Sequence, residues 1–480
     1  MPDYEAVIGL EVHAELLTNS KMFCGCSTKF GALPNTQTCP VCLGTPGVLP
    51  VMNRRGIEFA VRTALALNCT IAPMSRFARK NYFYPDLPKN YQISQYELPL
   101  SEHGGISFAV AGKVKRVGIR RVHLEEDTGK LVHAGMMEVA ESSLVDFNRS
   151  GVPLMEIVSE PDLRTPEESA EYLRQLRAIL VYLGVCDGNM EEGSFRCDAN
   201  VSVRPQGSSE LGTKVEVKNM NSFKNVQKAL EYEIRRQIQA VQSGEAVRQE
   251  TRLWNAGQDI TLSMRSKEYA HDYRYFPEPD LVPLVIELAW IEEIRRSLPE
   301  LPEAKRQRFV HDYGIPEYDA AVLTMSRELA DYYEAAVKAH NDPKSVSNWV
   351  MVELLGRLNK DGKRITQSPI SPDRLGVMLG LLAHGKISGK MAKEFFDEMY
   401  ATGVDPTDLL KMKGGQIADP TEVEKIIHGV LAKNPGAIAE YRSGKEGAFN
   451  FLIGQVMKVS RGKANPQVVN ELLKKALHTS

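Results

Sequence analysis

Glu11, His13 and Glu15 occupy every second position of residues 7–16, V-I-G-L-E-V-H-A-E-L, and Gly9 precedes them on the same side. Two carboxylates and an imidazole in a row offer oxygen donors with one nitrogen, a set suited to a hard divalent cation such as Mg²⁺. A solvated outer face would show the same alternation, so other acids must decide. Residues 117–127, V-G-I-R-R-V-H-L-E-E-D, alternate again. Arg121, His123 and Glu125 fall on one side, and Val122, Leu124 and Glu126 on the other, unless a bulge intervenes at the end. Glu125 and Glu126 therefore both stay open as partners of the first acids. Glu156 lies inside the apolar run L-M-E-I-V. A carboxylate there costs several kcal/mol unless it is paired or bound to a metal, and a salt bridge to Arg149 is the structural alternative.

Further along, Arg196, Asp198, Asn200, Ser202 and Arg204 alternate with Phe195, Cys197, Ala199, Val201 and Val203. After a Gly/Ser-rich turn, Lys214, Glu216 and Lys218 share one side of residues 213–219. The two segments read as a hairpin. Arg196, Arg204, Lys214 and Lys218 suit a polyphosphate clamp, and Asp198 and Glu216 can help hold Mg²⁺.

Four of seven cysteines cluster: Cys24-Gly-Cys26, twelve residues, then Cys39-Pro-Val-Cys42. Two close pairs around a Gly/Pro/Asn-rich loop fit a tetrahedral thiolate zinc site, structural because no coordination position stays open. Four reduced cysteines in a loop are the alternative. Residues 79–97 interleave Tyr82, Phe83, Tyr84, Tyr91 and Tyr96 with Arg79, Lys80 and Lys89. Aromatics among cations suit stacking on unpaired bases and gripping phosphates; tyrosines packed on their own domain would read alike. A second aromatic, charged loop spans 271–281, with Tyr273 and Arg274 placed to meet a phosphate or base.

The elements that position these groups are legible in outline. The strands alternate with period two. Helices are expected at 58–67, at 165–184 with Thr165, Pro166 and Glu168 as a capped start, and at 223–242. From Pro299 onward amphipathic helical segments replace strands, and residues 402–406 look like a hinge. The expected division is 1–293, 294–405 and 406–480. Residues 406–480 hold 11 Lys/Arg against 7 Asp/Glu, whereas the whole chain is at −2. In that tail Asn450, Gly454, Lys458 and Arg461 share a helix side that fits RNA phosphate, or a solvated face.

At 480 residues, with 43% hydrophobic and 25% charged residues, the chain has ordinary globular composition. It lacks an apolar run long enough for a membrane span, and its start lacks the pattern of a signal or transit peptide, so the cytoplasm is expected. No P-loop, strand-bounded G-x-G-x-x-G or G-x-S-x-G elbow occurs. ATP, if used, is held by a sheet face and metal ions.

Taken together, V-I-G-L-E-V-H-A-E-L, R-K-N-Y-F-Y-P-D-L-P-K-N-Y-Q-I-S-Q, H-L-E-E-D-T-G-K, D-F-N-R-S-G-V-P-L-M-E-I-V-S-E-P-D, E-E-G-S-F-R-C-D-A-N-V-S and D-Y-R-Y-F-P-E-P-D-L resemble the GatB family, the B subunits of aspartyl/glutamyl-tRNA amidotransferases. The stretch G-Q-V-M-K-V-S-R-G-K-A-N-P resembles that family's YqeY-like tail. The resemblance implies an α+β catalytic cradle with an antiparallel sheet, similar to the glutamine synthetase/guanido kinase fold, then a helical domain and a small helical tRNA-binding tail. It implies ATP-dependent activation of the side-chain carboxylate of Glu-tRNA(Gln) or Asp-tRNA(Asn). Ammonia would come from the glutamine-hydrolysing GatA subunit, with the small GatC subunit completing a heterotrimer; no Ser-Lys amidase constellation is found in this chain. Glu11, His13, Glu126 (or Glu125) and Glu156 resemble the family's Mg²⁺ and catalytic site. Arg196, Lys214, Glu216 and Lys218 are the candidates for the nucleotide, and Cys24, Cys26, Cys39 and Cys42 for Zn²⁺. For tRNA they are Tyr82, Tyr84, Lys89, Tyr91, Lys458, Arg461 and Lys463. A non-catalytic scaffold that only presents the tRNA end is the alternative.

Overall fold

Residues Tyr4–Glu15 form the central strand of a nine-stranded sheet, because their even positions from Ile8 to Ala14 are wholly buried and their odd positions are only partly so. The structure is a computed structural model that describes residues 3–133, 143–266, 270–417, 419–460 and 462–479. It divides into two units, residues 1–301 and 302–480.

In chain order the large sheet consists of β1 (Tyr4–Glu15), β2 (Thr70–Ile71), β3 (Ser101–Val110), β4 (Lys113–Glu126), β5 (Pro153–Ser159), β6 (Phe195–Pro205), β7 (Val215–Lys218), β8 (Glu250–Asn255) and β9 (Ile260–Ser266). Their spatial order is β9-β8-β7-β6-β1-β5-β4-β3-β2. The expected hairpin of β6 and β7 is present, with Asn200 opposite Glu216. The expectation of a purely antiparallel sheet needs correction, since β7 and β8 run parallel. The helix between them, α3 (Phe223–Gln242), is the crossover that a parallel pair requires.

One face of the sheet is apolar and buried with three helices, α1 (Arg54–Ala66), α2 (Pro166–Tyr182) and α3. Asn53 caps α1, Thr165 caps α2 through Glu168 N at 3.1 Å, and Ser222 caps α3. The reciprocal half of the α2 box is displaced by one residue, for the Glu168 carboxylate accepts from Arg164 N at 2.8 Å. Gly184, at φ +66°, lies just beyond the end of α2. A three-stranded ribbon of Ala78–Asn81, Tyr91–Ser94 and Phe276–Pro277 carries the aromatic segments.

The second unit is helical, and among its described residues two apolar cores form. One runs from Phe309 to Leu409, the other from Val423 to Leu477. Leu409 belongs to the first core through the helix Pro406–Lys413, so the break between the two cores follows Lys413 rather than lying at 402–406. No helix among the described residues is long and apolar enough to cross a membrane.

Candidate active site

The uncovered face of the large sheet carries the charged alternation of β1, β4, β5 and β6. Antiparallel register sets His13 opposite Glu156 on one side and Arg196 on the other, and sets Glu156 opposite His123. These side chains, apart from Arg196, join Lys80, Tyr96, Tyr273 and Tyr275 in walling a cavity of about 400 Å³. His13 Nε2 lies 3.7 Å from Glu125 Oε1 and 3.7 Å from Glu156 Oε2, and His123 Nε2 lies 3.1 Å from the same Glu156 oxygen. The donor atoms of His13, Glu125 and Glu156 all fall within 4.8 Å of one another, close enough to share one cation.

Burial alone would raise the Glu156 carboxyl, but His123, His13 and Lys80 outweigh it and hold the group well below the usual carboxylate range. Arg149 is not its partner: that guanidinium faces Asp127 at 3.6 Å. Burial opposes the charge of Lys80 as well, yet Glu125 and Glu156 keep its ammonium above the ordinary lysine range. Lys80 Nζ also stands 5.0 Å from the centroid of the Tyr273 ring.

Of the two adjacent acids on β4, Glu125 joins the group and Glu126 does not. Alternation turns Glu126 to the other side, where Lys89 binds its carboxylate and Ile93 N donates to it at 2.9 Å. Glu126 thus lines a different cavity, shared with Cys24 and Cys42. Glu11 lines the cleft and accepts from Asn200 Nδ2 at 2.8 Å, but it is not within the ligand-distance group.

The phosphate candidates separate. Lys214, Glu216 and Lys218 line the cleft. Lys218 is bound to Asp198 and lies 3.6 Å from Glu216, whose other oxygen accepts from Thr251 Oγ1 at 2.9 Å. Arg196 departs from the expectation: its guanidinium is 2.7 Å from Asp127, beyond the cleft lining. Arg204 is likewise engaged elsewhere, 2.7 Å from Glu5. Asp127 sits between Arg196 and Arg149 and, despite burial, titrates down at about 2. Burial and the Asp127 charge push the adjoining Glu15 carboxyl up to about 8, so Glu15 is an acid and Asp127 an anion at neutral pH.

The four clustered cysteines do converge, with all sulfurs within 4.8 Å of one another. Cys39 and Cys42 sulfurs are 3.9 Å apart, close to the edge of about 3.8 Å that a tetrahedron with 2.3 Å Zn–S bonds requires. Hydrogen bonding from Cys24, aided by Cys39 N–H and Lys21, brings the Cys42 thiol down to about 4 against the effect of burial. The donor set fits zinc. Buried Lys21 ties this loop to the cradle, with Nζ 2.7 Å from Gln37 O, 3.3 Å from Phe147 O and 3.6 Å from Cys42 Sγ.

The residues expected to meet RNA do not form one group. Tyr82 packs edge-on against Tyr273, Tyr84 is half exposed, and Tyr91 lies under Arg79 at 4.2 Å. Lys89 is buried against Glu126, which removes it from any exposed phosphate contact. Lys458 is exposed on the helix Glu446–Val459, with Asn450 and Gly454. Lys463 binds the carbonyl of Lys413, and Arg461 lies outside the described residues.

Sequence alternation missed Arg120. The register shifts by one between Val158, opposite Arg121, and Ser159, opposite Ile119, so Arg120 is the extra residue of a bulge. Both arginines consequently line the cleft. A cross-strand irregularity of this kind leaves no mark in a single sequence. Lys80 and His123 were visible as charged neighbours, but their convergence on Glu156 depends on tertiary pairing.

The chain matches the family model described as the GatB/GatE catalytic domain over residues 6–292, and one described as the GatB domain over residues 331–477. It is 60% identical to a protein of Carboxydothermus hydrogenoformans over 99% of both chains. It is 59% identical to one of Geotalea daltonii and 58% identical to one of a Thermoanaerobacter species, again over 99% of each chain. All three relatives carry the name of the B subunit of an aspartyl/glutamyl-tRNA(Asn/Gln) amidotransferase.

Proposed function

The chain belongs to the GatB family, the B subunits of the aspartyl/glutamyl-tRNA(Asn/Gln) amidotransferases, and from that premise we propose that its cleft phosphorylates and then amidates a tRNA-borne carboxylate. It is part of a glutamine-dependent, ATP-using carbon–nitrogen ligase that acts on aminoacylated tRNA. The observation that carries the site assignment is the convergence of His13, Glu125 and Glu156 from three adjacent strands.

The substrates are Glu-tRNA(Gln), Asp-tRNA(Asn) or both. A side-chain carboxylate oxygen attacks the terminal phosphorus of ATP, the bond to the bridging oxygen breaks, and ADP leaves. Ammonia then attacks the acyl carbon, a C–N bond forms, phosphate departs and the surplus nitrogen proton is released. His13, Glu125 and Glu156 would hold Mg²⁺, which supplies neutralisation of phosphate charge during the transfer. Lys80, facing the same acids, adds a fixed positive charge at the cleft wall. Lys214, Glu216 and Lys218 remain candidates for contact with the nucleotide, whereas the pairing of Arg196 with Asp127 speaks against that residue.

Cys24, Cys26, Cys39 and Cys42 would hold a structural Zn²⁺. The remaining assignments are GatA as the source of ammonia, GatC as the third component and the cytoplasm as the compartment. The sheet with one covered and one open face supports a cradle similar to the glutamine synthetase/guanido kinase fold. The last helical core, with exposed Lys458, is read as the tRNA-binding tail.

The test is tRNA-dependent ADP release by the complex reconstituted with its partner chains, glutamine and Mg²⁺. Glu156→Gln should abolish release while tRNA still binds. Normal release by that variant would make Glu156 structural and move the metal site elsewhere on the cradle; normal transamidation in Glu11→Gln as well would leave this chain as a tRNA-presenting scaffold.

A further inference from the structure

Lys80 faces the cleft from the strand Ala78–Asn81, and alternation turns both of its chain neighbours the other way, where each is pinned. Arg79 grips Glu278 in a forked pair, with Nε 2.7 Å from one carboxylate oxygen and Nη2 2.8 Å from the other. The same guanidinium reaches Asp280 at 3.2 Å and lies 4.2 Å from the centroid of the Tyr91 ring. The Glu278 side chain is wholly buried. Asn81 Nδ2 donates to the carbonyl oxygens of Tyr273 and Arg274 at 3.3 and 2.8 Å. Arg79, Asn81 and Glu278 do not line the cleft, but what they hold does.

Residues 273–280 join the ribbon through two paired residues, Phe276 opposite Arg79 and Pro277 opposite Ala78. So short a pairing needs other support. The Asn81 tie lies just before it in the chain and the Glu278 tie just after it. Tyr273 and Tyr275 are thereby set as cleft wall. Lys80 Nζ is 5.0 Å from the Tyr273 centroid, and Tyr275 stacks on Tyr96 with centroids 4.2 Å apart and planes 6° from parallel. Between the two tyrosines Arg274 sits at φ +47°, a left-handed conformation that a residue with a side chain keeps only where its surroundings impose it. The middle strand of the ribbon is anchored separately: Ser94 Oγ donates to Glu125 at 3.1 Å, and Gln92 Nε2 donates to the carbonyl of Glu126 at 2.7 Å.

Resting on the function proposed above, we infer that Arg79, Asn81 and Glu278 are positioning residues for the transfer, acting through Lys80 and residues 273–275 to hold the ammonium and the tyrosine wall opposite Glu125 and Glu156. A forked guanidinium–carboxylate pair fixes orientation as well as charge, whereas a lysine at position 79 would keep the charge alone.

The experiment uses the reconstituted complex with Arg79→Lys and Asn81→Ala. Steady-state ADP release is one readout. The other is the acetylation rate of Lys80 by acetic anhydride without substrates, followed by mass spectrometry relative to exposed Lys113. Arg79→Lys should lower kcat by about 10–100-fold, since small misplacements of a charged group are costly. It should leave the KM for MgATP within about twofold and raise the relative acetylation of Lys80 about fivefold. Asn81→Ala should act in the same direction, with kcat down by about three- to tenfold. A lower Tm with kcat and Lys80 acetylation both unchanged would make the fork a packing element and overturn the inference. If Arg79→Lys does not assemble, the same pair of unchanged readings in Asn81→Ala overturns it. A raised KM for MgATP at unchanged kcat would overturn it too, for these residues would then serve binding rather than the transfer. Acetylation needs no turnover, so ADP release by Glu156→Gln would move the proposed metal site while the result on Lys80 stands by itself.

Discussion

His123 Nε2 stands 3.1 Å from Glu156 Oε2 across two adjacent strands, while His13 Nε2 reaches the same oxygen at 3.7 Å from a third. His123 touches the carboxylate but is outside the group within metal-ligand distance, so it orients that carboxylate. His123→Gln should therefore raise the Mg²⁺ concentration needed for half-maximal rate by about 10–100-fold, with much of the rate restored at saturating Mg²⁺. A Mg²⁺ titration of ADP release checks this. An unchanged midpoint would reduce His123 to a packing role.

Glu15 ties stability to pH. Its ordinary carboxyl value of 4.5 is raised to about 8 in the folded chain by burial and by Asp127. Between those values the folded state holds more protons than the unfolded one, so this group's contribution to stability falls as pH rises and levels off above about pH 8. Glu15→Gln mimics the acid form. It should match the wild type near about pH 5 and exceed it in Tm increasingly from about pH 6 to 8.5, as thermal melts across that range would reveal.

Lys89 and Glu126 form a buried pair. Lys89→Met leaves a carboxylate stranded and should cost about 3–5 kcal/mol in urea unfolding. Adding Glu126→Gln should recover most of that loss. An equal loss in the double variant would show that the lysine stem, not its charge, supplies the stability.

Metal analysis of the purified protein should find one zinc per chain. Cys39→Ser should lose most of it and lower the Tm by on the order of 5 °C, because a structural thiolate site contributes folding energy directly. A full-stability variant with no metal would make the cysteines a reduced loop.

Lys458 offers a test of the tail. Lys458→Glu should weaken tRNA binding several-fold at low salt and flatten the dependence of affinity on salt, since one phosphate contact is lost. Filter binding over a salt series measures both quantities.

Much of the cradle was legible from local pattern. Alternation located β1, β4, β5 and β6, and the unusual acid in L-M-E-I-V is the one that the two histidines enclose. The Thr165 cap located α2 and residue pattern located α3 closely, and cysteine spacing found the thiolate cluster. What escaped was non-local. The choice between Glu125 and Glu126 follows from which side of β4 faces His13 across β5. The fate of Arg196 depends on Asp127, 69 residues earlier in the chain. The arrival of Arg120 in the cleft depends on one skipped residue in a strand pairing, and the burial of Lys89 on a partner 37 residues away. Single-sequence periodicity carries none of these distances.

The position of β1 has a consequence for how the chain is made. β1 pairs with Leu154–Val158 and Phe195–Pro205, so its partners are completed only about two hundred residues after it has been synthesised. At about 5–20 residues per second that interval is on the order of 10–40 s. For much of that time Ile8, Leu10 and Val12 have no sheet to join, and every early contact must span a long loop. The nascent chain thus carries β1 as an open edge, and its yield in the cell should depend on chaperone capacity and elongation rate more than the stability of the finished fold would indicate.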